Sequence, residues 1–206
     1  MIPLLRRLRG ERGYSLIEML TVISILGVVM TGLTTLFIQG SNAELDMNRR
    51  FQAQQNVRVA LDKMRREIHC ARSAATTGGT GPSTGVTLEL PSQCPTAVGG
   101  VTTNVTWCTV SVATNRYALY RKVASTCDNT GTNWADYLTL PSAFDFKTQN
   151  TSSLAKLRVQ FTVDAKPTDG TPAYSLCDQI VLRNSSRKAP DSTYLGYTDT
   201  AEPATC

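Results

Sequence analysis

The sequence predicts an α+β chain: one long N-terminal helix, apolar and then amphipathic, packed on an antiparallel β-sheet head braced by disulfides. Three observations predict it. Residues 19–43 carry no charge, enough for a membrane-length helix. From Ser41 to about Arg72, proline and glycine are absent and apolar residues recur at helical steps. From Ser73 onward, short Val/Thr/Tyr-rich runs alternate apolar and polar residues, the period of half-buried strands. The expected divisions are a leader at 1–13, an apolar half-helix at 14–40, an amphipathic half-helix at 41–72, and a β-rich head with a polar C-terminal tail at 73–206.

The apolar run from Met19 to Ile38 matches the roughly 20 residues a spanning helix needs. A secretory signal uses only about 7–15 and ends in a small-x-small site, which Ser41-Asn42-Ala43 supplies weakly. In the leader, Arg6, Arg7, Arg9 and Arg12 against Glu11 give a net charge of +3. Positive flanks stay cytoplasmic, so the head is expected outside the inner membrane, on a single-pass anchor. A plain anchor explains neither Gly13 nor Glu18. A carboxylate at the bilayer centre costs about 2.5–3.5 kcal/mol on insertion scales and less near an interface, so Glu18 reads as a functional residue in need of a partner.

Arg12-Gly13-Tyr14-Ser15-Leu16-Ile17-Glu18-Met19-Leu20 closely resembles the processing motif of type IV prepilins and of the pseudopilins of type II secretion. The resemblance implies that a prepilin peptidase cuts between Gly13 and Tyr14 and methylates the new amine of Tyr14. It also implies a pilin fold and makes Glu18 the fifth residue of the mature chain, where that family keeps a glutamate. Two features depart from the pattern: Tyr14 stands where the family usually has Phe, and the apolar run lacks a helix-kinking proline, Gly27 and Gly32 being its only weak points. In a filament, the Glu18 carboxylate is expected to pair with the Tyr14 amine of a neighbouring subunit. An α-amine has an ordinary pKa of about 7.7–8.0 and is cationic at neutral pH.

Along the second half-helix, Met47, Phe51, Val57, Leu61, Met64 and Ile68 are expected to form one apolar face. Asp46–Arg50, Asp62–Arg66 and Lys63–Glu67, each four apart, are placed on its exposed side. The overall charge of +5 does not single out a nucleic-acid partner. The leader holds +3 of it, residues 14–48 carry −3, residues 49–72 carry +5, and residues 73–206 balance ten basic against ten acidic groups. The cluster Arg49, Arg50, Arg58, Lys63, Arg65, Arg66 and Arg72 reads as a solvated helix face. Aromatic residues that would stack bases do not interleave with it, so DNA or a surface ligand at the filament tip stays an unsupported alternative.

In the head, Thr-Thr-Gly-Gly-Thr-Gly-Pro-Ser at 76–83 reads as a loop. Strands are expected at Val86–Leu90, Val101–Val112, Arg116–Val123, Leu154–Val163 and Gln179–Arg183, with a hairpin at Thr114-Asn115. The last run, Ile180-Val181-Leu182-Arg183-Asn184, resembles the closing strand of PilW-type minor pilins and of J-type minor pseudopilins. Cys70, Cys94, Cys108, Cys127, Cys177 and Cys206 all fall on the side expected to be oxidising, which favours disulfides. Six cysteines allow 15 connectivities. The pairing adopted is Cys94–Cys108 across a local loop, Cys127–Cys177 from the middle loop to the last strand, and Cys70–Cys206 from helix end to tail. The polar tail from Ser185 is expected to wrap the head.

Catalysis and metals find little support. His69 is the only histidine, beside Cys70, and reads as a packing or surface residue. No CxxC pair and no phosphate-cradling glycine loop is present. Asp128-Asn129-Thr130-Gly131-Thr132-Asn133 with Asp136 offers oxygen ligands for Ca²⁺ but departs from an EF-hand and reads as an Asx-rich turn. Trp107 and Trp134 read as core residues. The sequence thus points to a non-enzymatic minor pilin or pseudopilin without cofactor or metal, which initiates or caps a filament. Its expected partners are a prepilin peptidase, other pilin or pseudopilin subunits met through the N-terminal helix, and the inner membrane before assembly. The alternatives are a type II secretion pseudopilin and a tip adhesin or DNA-uptake module.

Overall fold

The computed structural model describes residues 13–77, 81–149, 154–167, 172–184 and 206. A single helix, α1, covers Leu16–Cys70. The chain divides into two units, Met1–Met47 and Asn48–Cys206. In the first, the apolar side chains from Leu16 to Ile38 are exposed on every side of the helix. That is the character of a helix whose solvent is lipid or other helices.

In the second unit, α1 is followed by eight strands: β1 Ser73–Thr76, β2 Gly85–Leu90, β3 Thr103–Ala113, β4 Arg116–Lys122, β5 Thr132–Leu138, β6 Phe144–Lys147, β7 Lys156–Val163 and β8 Tyr174–Val181. All ladders are antiparallel. The order is β1-β2-β3-β4-β5-β7-β6, and β8 also pairs with β7. The sheet curls, so that Ser83, just before β2, bridges Phe144 at the start of β6. Alternation sets the faces. Val86, Leu88 and Leu90 of β2 and Leu157, Val159, Phe161 and Val163 of β7 are buried. The β3–β4 hairpin turns at Thr114-Asn115 as expected, with Asn115 at φ 54°, a left-handed conformation asparagine tolerates well.

The helix face that meets the core is Ala53, Val57, Ala60, Leu61, Met64, Glu67 and Ile68. Val57, Leu61, Met64 and Ile68 lie where expected. Phe51 does not, being 58% exposed, and Met47 in the first unit is 73% exposed. The six-residue step from Phe51 to Val57 explains the first: at 3.6 residues per turn it displaces Phe51 by about 120° from the buried face. Alanines 53 and 60, too small to stand out in a pattern of large residues, occupy the face instead.

Glu67 is the largest departure. Expected on the exposed side as the partner of Lys63, it has no exposed surface. Trp107 Nε1 of β3 donates to its Oε2 at 2.8 Å, and Arg121 Nε of β4 donates to Oε1 at 3.0 Å. Arg121 Nη2 adds an ion pair at 2.8 Å, and Lys63 Nζ stands at 3.7 Å. The other helix flank is tied to β8. Arg65 Nε and Nη2 both donate to Asp178 Oδ2, at 3.0 and 2.7 Å, and His69 Nδ1 donates to the Val181 carbonyl at 3.1 Å.

The disulfides are Cys70–Cys94, Cys108–Cys127 and Cys177–Cys206, which corrects all three expected pairs. Strand register is the reason. Cys108 is opposite Gly85 at one end of the β2–β3 ladder, whereas Cys94 follows the other end, where Leu90 meets Thr103. Five residues of strand set those two ends about 16 Å apart. Cys94 instead reaches Cys70 at the end of α1. Cys108 faces away from the helix, where the loop after β4 folds over it. Thr106 Oγ1 donates to the Ala124 carbonyl at 2.7 Å, and Cys127 closes the bridge. A Cβ at Gly131 would come within 2.7 Å of the Arg121 carbonyl oxygen, so the loop's return needs glycine. Cys127 cannot reach Cys177 because β5 and β7 intervene in the sheet.

Three strands went unrecognised in the sequence: β1, β5 and β6. Of the loop expected at 76–83, Thr76 ends β1 and residues 78–80 lie outside the described residues. The expected wrapping of the tail also lies outside them, except that Cys206 bonds to Cys177.

Replacing Glu67 by Ala should destabilise the second unit by about 3–5 kcal/mol, because Arg121 and Trp107 would lose their acceptor in a dry site. Denaturant unfolding followed by tryptophan fluorescence would measure this, with Glu67→Gln, which keeps an acceptor for Trp107, falling between the two.

Candidate processing and assembly site

Gly13, Tyr14 and Ser15 precede α1, are not helical and are exposed. A Cβ at Gly13 would meet nothing within 4 Å, so packing against the described residues does not demand glycine there. The helix starts at Leu16, and the Ser15 carbonyl accepts its first backbone bonds, from Glu18 N at 3.0 Å and Met19 N at 3.2 Å. Ser15-Leu16-Ile17-Glu18 has the S-x-x-E pattern of a capping box, but neither side chain closes it among the described residues. Glu18 therefore lies in the first turn, where the helix dipole favours an acid by about 0.3–1 kcal/mol. Among the described residues its carboxylate has no hydrogen bond or ion pair, which leaves it available to a partner from another molecule.

The polar side chains that follow are treated differently. Thr21, Ser24, Thr31, Thr34 and Thr35 each donate to a backbone carbonyl three or four residues earlier, at 2.8–3.0 Å. Hydroxyls satisfied within their own helix add little cost in lipid. The helix is long and apolar enough to cross a membrane, and it passes Gly27 and Gly32 without a break.

In the second unit the remaining candidates serve the fold. Arg65 is spent on Asp178 and Asp62, and Arg58 donates to the Tyr174 hydroxyl at 3.1 Å while lying over its ring. His69 is taken by Val181. Trp107 is buried and meets the half-buried Trp134 at 5.7 Å between ring centroids. Of the Ca²⁺ candidates, Thr132, Asn133 and Asp136 lie on β5, and Asn133 Nδ2 donates to Asp136 Oδ1 at 3.2 Å. No group of three or more metal-ligating side chains occurs among the described residues.

Asp128 receives Lys122 Nζ at 2.8 Å and the backbone N–H of Thr130 at 3.0 Å. The Lys122 hydrogen bond first, then those of Thr130, lower its pKa from 3.8 to about 2. The carboxylate is thus favoured in the folded state: its contribution to stability is present above pH 3.8 and is lost as the pH falls through about 2. Carboxyl NMR titration of Lys122→Gln should show the Asp128 midpoint moving back up toward 3.8.

Comparison with known proteins singles out the same segment. Residues 8–34 match the family model described as the prokaryotic N-terminal methylation motif. No curated protein and no solved structure matches the chain. The match lies over the exposed Gly13–Tyr14 junction, the capped helix start and Glu18, and the apolar helix that follows fits a single-pass membrane anchor. It supports a type IV pilin-like protein, prepilin or pseudopilin, processed by a prepilin peptidase and assembled with other pilins.

Proposed function

We propose that the chain is a minor pilin or pseudopilin, a structural subunit that initiates or caps a type IV pilus-like filament and catalyses no reaction. The observation that carries this reading is the methylation-motif match over an exposed glycine whose Cβ position meets no described residue. The precursor lies in the inner membrane with its basic leader cytoplasmic and its head outside. Prepilin peptidase removes residues 1–13 and methylates the amine of Tyr14. As the apolar helices leave lipid and pack together, Glu18 pairs with the Tyr14 amine of a neighbour. Both charges are then in a low dielectric, where removing one partner costs about 3–5 kcal/mol. A head of eight strands and three disulfides, too particular for a bulk repeat, favours the minor role. The closing run Ile180–Asn184, which ends β8 and its flank, is consistent with the PilW-type or J-type subclass.

Mass spectrometry of the membrane-extracted protein should find a mature chain beginning at N-methylated Tyr14, and Gly13→Val should leave the precursor uncut. A leader still attached to the mature wild-type chain would sink the filament reading. Glu18→Leu should insert and be cleaved normally yet fail to enter filaments in a shearing assay; normal incorporation would refute the charge pairing.

A further inference from the structure

We propose that the outer edge of β8 is a docking edge for an extended segment of a partner protein, apolar on the side toward α1 and acidic on the other, which joins the sheet as a further strand. The edge lies wholly within the second unit and serves a contact separate from the helix assembly proposed above.

Among the described residues, β8 pairs with β7 and with no other strand. Its register runs without a shift from Lys156↔Val181 to Val163↔Tyr174. Leu182 N donates to the Ala155 carbonyl at 2.9 Å, which fixes the alternation. Ile180, Asp178, Leu176 and Tyr174 turn their N–H and C=O groups to β7, whereas Val181, Gln179, Cys177 and Ser175 turn theirs outward. His69 takes the Val181 carbonyl. The other outward groups have no partner among the described residues, and Ser175 and Gln179 are exposed. The helix reaches β8 through long side chains, Arg58 to Tyr174 and Arg65 to Asp178, and offers the edge no backbone partner.

Proteins shield a free edge with proline, lysine, a bulge or a very short strand. β8 has none of these over its 8 residues. Its one charge, Asp178, points inward and is neutralised by Arg65 at 2.7 Å. Leu176 is only half-buried, whereas Leu157, Val159, Phe161 and Val163 of β7 are buried. A further strand would complete the cover over Leu176.

The charge beside the edge selects the segment. On the face away from α1, Lys147 of β6 is directly opposite Lys156 of β7, and Arg158 is next on the same face. Like charges so placed repel. Lys147 has no partner among the described residues, and Arg158 Nε is buried without an acceptor. Lys156 has a contact that a carboxylate would join. Asp145, opposite Arg158, is the one acid of β6 and β7. A strand beyond β8 would lie about 10 Å from β7, within reach of an extended lysine or arginine. Carboxylates on its outer side meet these cations, and apolar residues on its inner side meet Leu176 and the stem of Arg58.

The test uses the full chain in detergent micelles and a capped synthetic peptide of about seven residues that alternates glutamate with valine and threonine. The peptide should bind, as read by fluorescence anisotropy of a labelled copy, and should slow amide hydrogen exchange across residues 174–182. Gln179→Pro removes one outward N–H and leaves the β7 ladder intact, since proline is tolerated where a strand's N–H faces away from its neighbour. It should weaken binding about tenfold while exchange in the other strands stays as in wild type. A peptide with lysine in place of glutamate should bind wild type about tenfold more weakly at low salt, and the gap should narrow as salt is raised. An acidic peptide that leaves the exchange of β8 unchanged would overturn the proposal. So would equal binding to Gln179→Pro, equal binding of the lysine peptide, or edge amides already protected in the free chain by its own tail or by a second copy. None of these results bears on cleavage after Gly13 or on entry into filaments.

Discussion

The Glu67 carboxylate fixes how the helix lies on the sheet. Apolar packing chooses a face of α1 but tolerates small rotations and slides, since Val57, Leu61, Met64 and Ile68 would stay buried through many of them. A buried acid with two sheet donors does not. Trp107 on β3 and Arg121 on β4 are opposite each other in the ladder, so one carboxylate reads the position of two strands at once. The remaining junctions follow from that placement. Arg65 comes to Asp178, His69 comes to the end of β8, and Cys70 comes to Cys94. Burying an acid is expensive unless it is fully hydrogen-bonded, so this contact contributes specificity more than net stability.

The two glutamates at the ends of α1 show one residue type in opposite roles. Glu67 is satisfied by its own chain and holds a fold. Glu18 has no partner among the described residues and is left for another molecule. Sequence reasoning found the second because a charge in an uncharged run stands out. It misplaced the first because Lys63–Glu67 has the spacing of an ordinary exposed ion pair. Only the sheet, with an indole and a guanidinium waiting, makes burial affordable.

Other successes and failures have equally local causes. β2 and β7 were legible because their buried residues are large and alternate cleanly, and the β3–β4 hairpin because two long Val/Thr/Tyr-rich runs flank Thr114-Asn115. β1, Ser73-Ala74-Ala75-Thr76, has no large side chain to alternate. β5, Thr132–Leu138, breaks its alternation at register shifts against β4, and Tyr137 there takes a positive φ of 66°, so its polar residues resembled a turn. The disulfides were beyond reach because pairing depends on which end of a ladder each cysteine occupies. The processing segment was legible almost whole, because its chemistry lies in consecutive residues rather than in a folded surface.

The order of the three disulfides has a consequence for how the chain matures. The six cysteines pair strictly in succession, first with second, third with fourth, fifth with sixth, with no bridge nested in or crossing another. In the orientation proposed above, with the head outside the inner membrane, the thiols reach the oxidising compartment in that same succession. Every second thiol to arrive finds its native partner already waiting, and an oxidase that joins thiols as they emerge produces the native set without a disulfide isomerase to reshuffle it.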